Sequence, residues 1–238
     1  MRSTVYLAVL AAGLTLVGNE GVMAQSAGKP AAAAAKPTEA AATATKPNRA
    51  VIHASAAETM PVTVGEALPA MGPLKNAEGA PVSLADATKG KTSVIVLYRG
   101  GWCPYCVTHM AELARIQPDL AAQGVQLLAI SPDSPATQKA FAAEHPLPYT
   151  LLSDSDHNAM KALGVAFALD AATIEKYKEY GIDLVKASGN PEQALPVSSV
   201  FVVNPEGKIT YAHTNPDYKK RLSGDDVLKA AGIVGAPK

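Results

Sequence analysis

The sequence predicts an α/β domain: a mixed central sheet with helices on both faces. Three observations predict it. Ser93-Val94-Ile95-Val96-Leu97-Tyr98 is a continuous apolar run, the pattern of a strand buried on both sides. After it, helical and strand patterns alternate, with apolar residues at Val107, Met110, Leu113, Ala114 and Leu120 followed by a second apolar run at 125–130. Near the C-terminus, residues 200–203 and 208–211 flank Asn204-Pro205-Glu206-Gly207, the signature of a β-hairpin. Alternation closed by a hairpin requires a sheet that is covered on both faces.

The elements follow in order. Met1-Arg2 is a short positive start, and an apolar stretch runs from Val5 to Val17. Val22-Met23-Ala24 places small residues where a signal peptidase inspects them, so residues 1–24 read as a signal peptide. The stretch is shorter than the roughly 20 residues of a membrane span, and no membrane span is expected after cleavage. An exported, periplasmic location follows. Residues 25–55 read as a disordered Ala/Lys/Pro linker, with Lys-Pro recurring at 29–30, 36–37 and 46–47. The folded domain is set at 61–235.

Within it, residues 80–84 suggest a short strand or turn. The helix carrying Val107 to Leu120 ends at Gly124, and Pro118 is expected to kink it. Residues 134–144 read as a helix, 149–152 as a third strand and 157–163 as a short helix. Residues 170–187 are polar and Tyr-rich, an inserted helix or lid. Residues 225–231 close the chain as a helix.

Lys plus Arg and Asp plus Glu are 21 each, so the net charge is zero, and no basic footprint for nucleic acid is present. Both cysteines of the chain sit in one motif. Three residues apart, they close too small a loop to reinforce a fold usefully. Their pairing reads as chemistry.

That motif is Tyr98-Arg99-Gly100-Gly101-Trp102-Cys103-Pro104-Tyr105-Cys106. It follows a buried strand and opens a helix, the context in which C-x-x-C is redox-active rather than metal-binding. Cys103 falls at the helix N-cap, with Pro104 at the first helical position, where a missing N–H costs nothing. Unpaired N–H groups and the positive end of the helix dipole favour a thiolate there, making Cys103 the nucleophile and the more exposed thiol. Cys106, almost one turn on and more buried, can attack a mixed disulfide or a sulfenic acid on Cys103. Gly100 and Gly101 allow the strand-to-helix turn, and Trp102 shields one side of the sulfur.

This run resembles the peroxiredoxin-like branch of the alkyl hydroperoxide reductase/thiol-specific antioxidant (AhpC/TSA) redoxins. The resemblance extends to 124–131, to Leu195-Pro196-Val197 leading into 201–207, and to Asp217-Tyr218 with Arg221. It implies a thioredoxin-like fold and thiol-dependent antioxidant or disulfide-exchange activity. Two positions depart from the family pattern. Gly100 stands where a Thr is usual three residues before the reactive Cys. Ser198 stands where an Arg helps to bind peroxide, and many thioredoxin-like proteins carry a cis-Pro there. Pro196 is the candidate substitute for that proline, and Arg99 for the missing positive charge.

The expected function is therefore thiol–disulfide oxidoreduction through the Cys103/Cys106 dithiol, with peroxide reduction as the alternative. The substrate is a peroxide or disulfide. A thioredoxin-like protein or small thiol restores the dithiol, and the chemistry requires no organic cofactor or metal. The rival of another class is a copper-binding assembly factor using Cys103, Cys106 and a histidine such as His109 with Met110. His109 itself is expected as a partly exposed helix residue. His213 follows the hairpin, and its position relative to the site is not readable from sequence. Asp154-Ser155-Asp156 is expected as a capped turn, and Tyr177, Tyr180 and Tyr211 as packing residues.

Overall fold

The structure, a computed structural model, describes residues 48–233. The signal peptide and residues 25–47 of the expected linker lie outside the described residues. Nine strands and seven α-helices are described: β1 (Leu74–Lys75), β2 (Pro81–Val82), α1 (Leu84–Thr88), β3 (Ser93–Leu97), α2 (Pro104–Ala122), β4 (Gln126–Ser131), α3 (Pro135–Glu144), β5 (Thr150–Ser153), α4 (Asn158–Ala162), β6 (Ala166–Ala168), α5 (Ala171–Glu179), α6 (Leu184–Ser188), β7 (Ala194–Pro196), β8 (Ser198–Val203), β9 (Ile209–Asn215) and α7 (Gly224–Ala230).

Seven strands form one mixed sheet in the order β2-β1-β5-β4-β3-β8-β9. The apolar run of β3 is central, parallel to β4 and antiparallel to β8. Every residue of β3 is buried, because alternate side chains feed two separate cores. Ile95 and Leu97 pack with Leu84 of α1 and Met160 of α4 on one face. Val94 and Val96, with Tyr98, pack with Met110 and Leu113 of α2 and Val227 of α7 on the other. This is the sheet covered on both faces that the sequence predicts.

Local chemistry fixes the helix starts. Ser83, Ser134, Asp170, Asp183 and Ser223 each accept a backbone N–H at a helix N-terminus. Asp154 accepts from Ala159 and Met160 N–H groups at 2.9 Å, the capped turn expected there. α2 differs: its N-cap is Cys103, a thiol rather than a hydroxyl or carboxylate. The longest helix among the described residues therefore opens at a thiol, with the Cys106 N–H 2.9 Å from the Cys103 carbonyl oxygen.

Several expectations need correction. The packed domain begins before Pro61, inside the span assigned to the linker. His53 is buried and its backbone bonds the two ends of β6 along one edge, donating to Ala166 O at 3.0 Å and accepting from Ala168 N at 2.8 Å. Ile52 and Ala56 pack on the core, and Arg49 pairs with Glu66 at 2.7 Å. α2 is not among these corrections: it holds Pro118 inside it, as expected, and runs on to Ala122, the ring removing one intrahelical bond. The 170–187 insertion is two helices, α5 and α6. α5 buries no residue, and Tyr180 is 66% exposed rather than packed. The β6–β7 pair was unforeseen.

One consequence is measurable. A chain that begins at Thr59 should melt below one that begins at Asn48. The lost backbone bonds and apolar contacts are worth on the order of 2 kcal/mol, which is roughly 4–8 °C in a domain of this size. Equal midpoints by calorimetry would mean that residues 48–58 are a tether after all.

Candidate active site

The site is assembled where β3 ends. Arg99 lies two residues beyond Leu97, the turn passes through Gly100 and Gly101, and Cys103 opens α2. A side chain at 100 would run into the Trp102 Nε1 atom and lie 2.8 Å from Asp133 Oδ1. A Cβ at 101 would lie 2.7 Å from the Phe141 ring. Both positions thus demand glycine for close approach. Gly101 donates its N–H to Asp133 Oδ2 at 2.7 Å, tying the turn to the end of β4. Asp133 is buried, and burial pushes its carboxyl up to about 6.

Both sulfurs are buried: Cys103 is 1% exposed and Cys106 0%. The sequence predicts Cys103 as the more exposed thiol; the order is kept, but both cysteines lie in the core beside α2 and neither is exposed. The expected order of acidity does appear. The Cys103 thiol is held down to about 6, first by a hydrogen bond from the Cys106 thiol, then by the Cys106 N–H and the Arg99 and Arg221 charges, against the opposing effect of burial. The Cys106 thiol is pushed well up, chiefly by burial and by the hydrogen bond it gives to Cys103. Cys103 is the thiolate and Cys106 the proton donor beside it. Both cysteines are free thiols in the structure.

Two guanidinium groups attend the pair. Arg99 Nη1 lies 3.9 Å from Cys103 Sγ, as the sequence suggested it could. Arg221 Nη2 donates to Cys106 Sγ at 3.2 Å. Among the described residues neither arginine is ion-paired with a carboxylate. Arg99 is 4% exposed, and its guanidinium sits over three rings: 4.0 Å from the Tyr218 centroid, 5.3 Å from Trp102 and 5.4 Å from Tyr177. Aromatic faces partly replace the water that burial removes. Tyr218 also meets the exposed Tyr105 edge-on at 5.6 Å.

A cleft of about 280 Å³ reaches this arginine from solvent. Arg99, Tyr177, Pro196, Ser198 and Tyr218 belong to its lining. Ser198 is buried and its Oγ has no hydrogen-bond partner, and neither has Arg99 Nε. Pro196 lies in β7 opposite Ala166, with a trans peptide. The structure thus brings together Arg99, Gly101, Trp102, Cys103, Pro104, Cys106, Pro196 and Ser198.

Sequence reasoning missed Asp133 as a site residue, and met Tyr218 and Arg221 only as parts of a family-like closing segment. It placed His109 wrongly. That residue is 3% exposed, and its Nε2 lies 3.0 Å from Leu222 O, directed at a backbone carbonyl rather than at the sulfurs. Among the described residues no group of three or more His, Cys, Asp or Glu side chains is placed to hold a metal. The donor set that the copper reading required is therefore not assembled.

The thiol acidity gives a direct test. Modification of Cys103 by methyl methanethiosulfonate, followed by mass spectrometry, should half-saturate near pH 6 and precede modification of Cys106. Arg99→Met should move that midpoint upward, since a nearby positive charge favours the thiolate. A wild-type midpoint near that of an ordinary thiol, or first labelling at Cys106, would overturn the assignment.

Comparison with known proteins agrees with this geometry. The model of the AhpC/TSA family matches residues 64–212. Peroxiredoxin Q of Sedum lineare is 37% identical over 92 residues, 39% of this chain and 49% of that protein. The chain spans 42–66% of the length of the first curated relatives it matches. Among solved structures, peroxidoxin BcpB of Mycobacterium tuberculosis superposes with a TM-score of 0.55 at 19% identity, over 72% of this chain and 96% of that one. A peroxiredoxin-like protein of Aquifex aeolicus gives 0.56 at 19%, over 74% and 90%. At that identity the likeness establishes the fold, which is thioredoxin-like. The family match, the shared fold and the two-cysteine helix start lead to one conclusion: the chain belongs to the AhpC/TSA family.

Proposed function

We propose that this chain is a thiol-dependent peroxidase whose Cys103 thiolate cleaves the O–O bond of a hydroperoxide and whose Cys106 closes a disulfide. The observation that carries this reading is the Arg99 guanidinium, 3.9 Å from Cys103 Sγ and lining the cleft. Thiolate attack on ROOH forms Cys103–S–OH and releases RO⁻, which takes a proton to become ROH. Negative charge develops on the departing oxygen, and a fixed cation beside the sulfur stabilises it. The partnerless Arg99 Nε and Ser198 Oγ are further candidates to bond the peroxide oxygens. In the second step Cys106–SH and Cys103–S–OH give the disulfide and water. Two equivalents of thiol, from a thioredoxin-like protein or a small thiol, then restore the dithiol.

The burial of Cys103 ranks the two activities. A hydroperoxide can enter a cleft of about 280 Å³. A protein disulfide must bring its own sulfur to an atom that is 1% exposed. Peroxide reduction therefore moves ahead of disulfide exchange, the reverse of the order expected from the family's missing Thr and Arg. Disulfide exchange stays as the second reading, favoured by the thiol-to-thiol hydrogen bond, which leaves Cys106 ready to resolve a mixed disulfide. Among the described residues no helix is long and apolar enough to cross a membrane. The N-terminal sequence supports an exported, periplasmic setting for the chemistry.

Trp102, the single tryptophan of the chain, reports the reaction. Arg99→Ala should lower the second-order rate with hydrogen peroxide by on the order of 100-fold, the usual loss when a preorganised charge-stabilising group is removed. Exchange with a small disulfide should fall much less. Equal losses in both assays, or wild-type protein that peroxide does not oxidise, would reverse the ranking.

A further inference from the structure

α2 contributes more than its two cysteines. One turn beyond Cys106, His109 is buried against the segment that joins β9 to α7. Its Nε2 is 3.0 Å from Leu222 O, and a carbonyl only accepts, so the proton of the ring is on Nε2. Burial, with the charge of Arg221 nearby, holds this imidazole down to about 4, so the ring is neutral. Its Nδ1 has no partner. One further turn on, Glu112 accepts the Gly224 N–H at 2.6 Å. Two neighbouring side chains of α2 thus grip residues 222 and 224. Arg221, immediately before them, donates to Cys106 Sγ at 3.2 Å.

We infer that His109 is a positioning residue for the second half-reaction: by holding Leu222 it keeps Arg221 on the Cys106 sulfur and so promotes disulfide closure. The inference rests on the two-cysteine reading above. Cys106 must lose its proton to attack Cys103, yet burial opposes its charged form. Arg221 is the cation in contact with it, and its influence favours the thiolate. An arginine reaches its target on a long, rotatable stem, so its effect depends on where the backbone is anchored. His109, with Glu112, provides that anchor. The groups facing the imidazole are Arg221, Glu112 and His213.

The closing step can be isolated with a chromogenic aromatic disulfide. Cys103 first forms Cys103–S–S–Ar and releases one ArS⁻. Cys106–SH then forms the Cys103–Cys106 disulfide, releasing the second ArS⁻ and a proton. The first release depends on reagent concentration and the second does not. In full-length His109→Leu and Arg221→Met, the second release should slow by on the order of 10-fold or more, the scale on which displaced positioning groups act. Its pH profile should shift upward, and the first release should fall much less than the second, because Arg221 is only one of several groups that support the Cys103 thiolate. His109→Gln retains an N–H near the Nε2 position and should recover most of the rate. The peroxide reaction, followed by Trp102 fluorescence and by dimedone trapping of Cys103–S–OH, should show the same slow closure. If peroxide oxidises no variant, the peroxidase reading fails while the aromatic disulfide still tests this one. A wild-type closing rate in His109→Leu overturns the inference. So does a His109→Gln variant as slow as His109→Leu with an unshifted pH profile.

Discussion

A thiolate hidden from water is the interaction on which the rest of this site depends. Cys103 is almost fully buried, and burial by itself drives a thiol toward its neutral form. The fold answers with four stabilising features from three places. The start of α2 supplies the Cys106 N–H, the Cys106 thiol supplies a hydrogen bond, the end of β3 supplies Arg99, and the segment before α7 supplies Arg221. A unit charge pair near 4 Å is worth about 4 kcal/mol at an effective dielectric of 20. Two arginines without carboxylate partners are costly in the absence of such an anion. The thiolate and the cations require one another.

That mutual dependence explains the aromatic enclosure. Arg99 carries its charge inside the protein whether or not the thiol beside it is ionised. Tyr218, Trp102 and Tyr177 offer π-faces that attract the guanidinium without neutralising it. A carboxylate in their place would have competed with the thiolate for the same cation. The enclosure also draws in elements that the sheet does not need. Tyr177 comes from the exposed helix α5 and Tyr218 from the β9–α7 connection, so both enclose an arginine beside a sulfur at the start of α2.

What was legible in the sequence follows from this division. β3, the glycine turn and the start of α2 are contiguous, and each obeys a local rule: an apolar run, a Pro at the first helical turn, a fixed Cys spacing. The hairpin β8–β9 was equally plain, because its turn residues are adjacent. Asp133, Tyr218 and Arg221 are 30, 115 and 118 positions from Cys103, and nothing local marks them. The partial exception is Asp217-Tyr218 with Arg221, visible only as a family-like ending. His109 looked exposed because its helix was judged alone; α7 and the segment before it cover that face. Residues 48–60 follow an Ala/Lys/Pro-rich stretch and hold few large apolar groups. They join the domain through backbone bonds to β6, which composition cannot reveal.

The two departures from the family pattern each have their own structural setting. Gly100 lies between the Trp102 indole and Asp133, and any side chain there would strike one or the other. A hydroxyl at that position is therefore incompatible with an indole packed against the turn. Ser198, at the start of β8, is uncharged, and its hydroxyl is buried without a partner. Leaving a buried hydroxyl unsatisfied costs roughly 1–3 kcal/mol. The position lines the same cleft as Arg99, whose Nε is unsatisfied as well. The positive charge beside the two sulfurs comes from the end of β3 and from the segment before α7. A small polar residue, Ser198, faces the cleft instead. Two unsatisfied polar atoms beside a solvent-accessible cleft, next to a compensated thiolate, are what a bound oxygen would complete. The same site thus holds a buried thiolate with positive charge drawn from different parts of the chain.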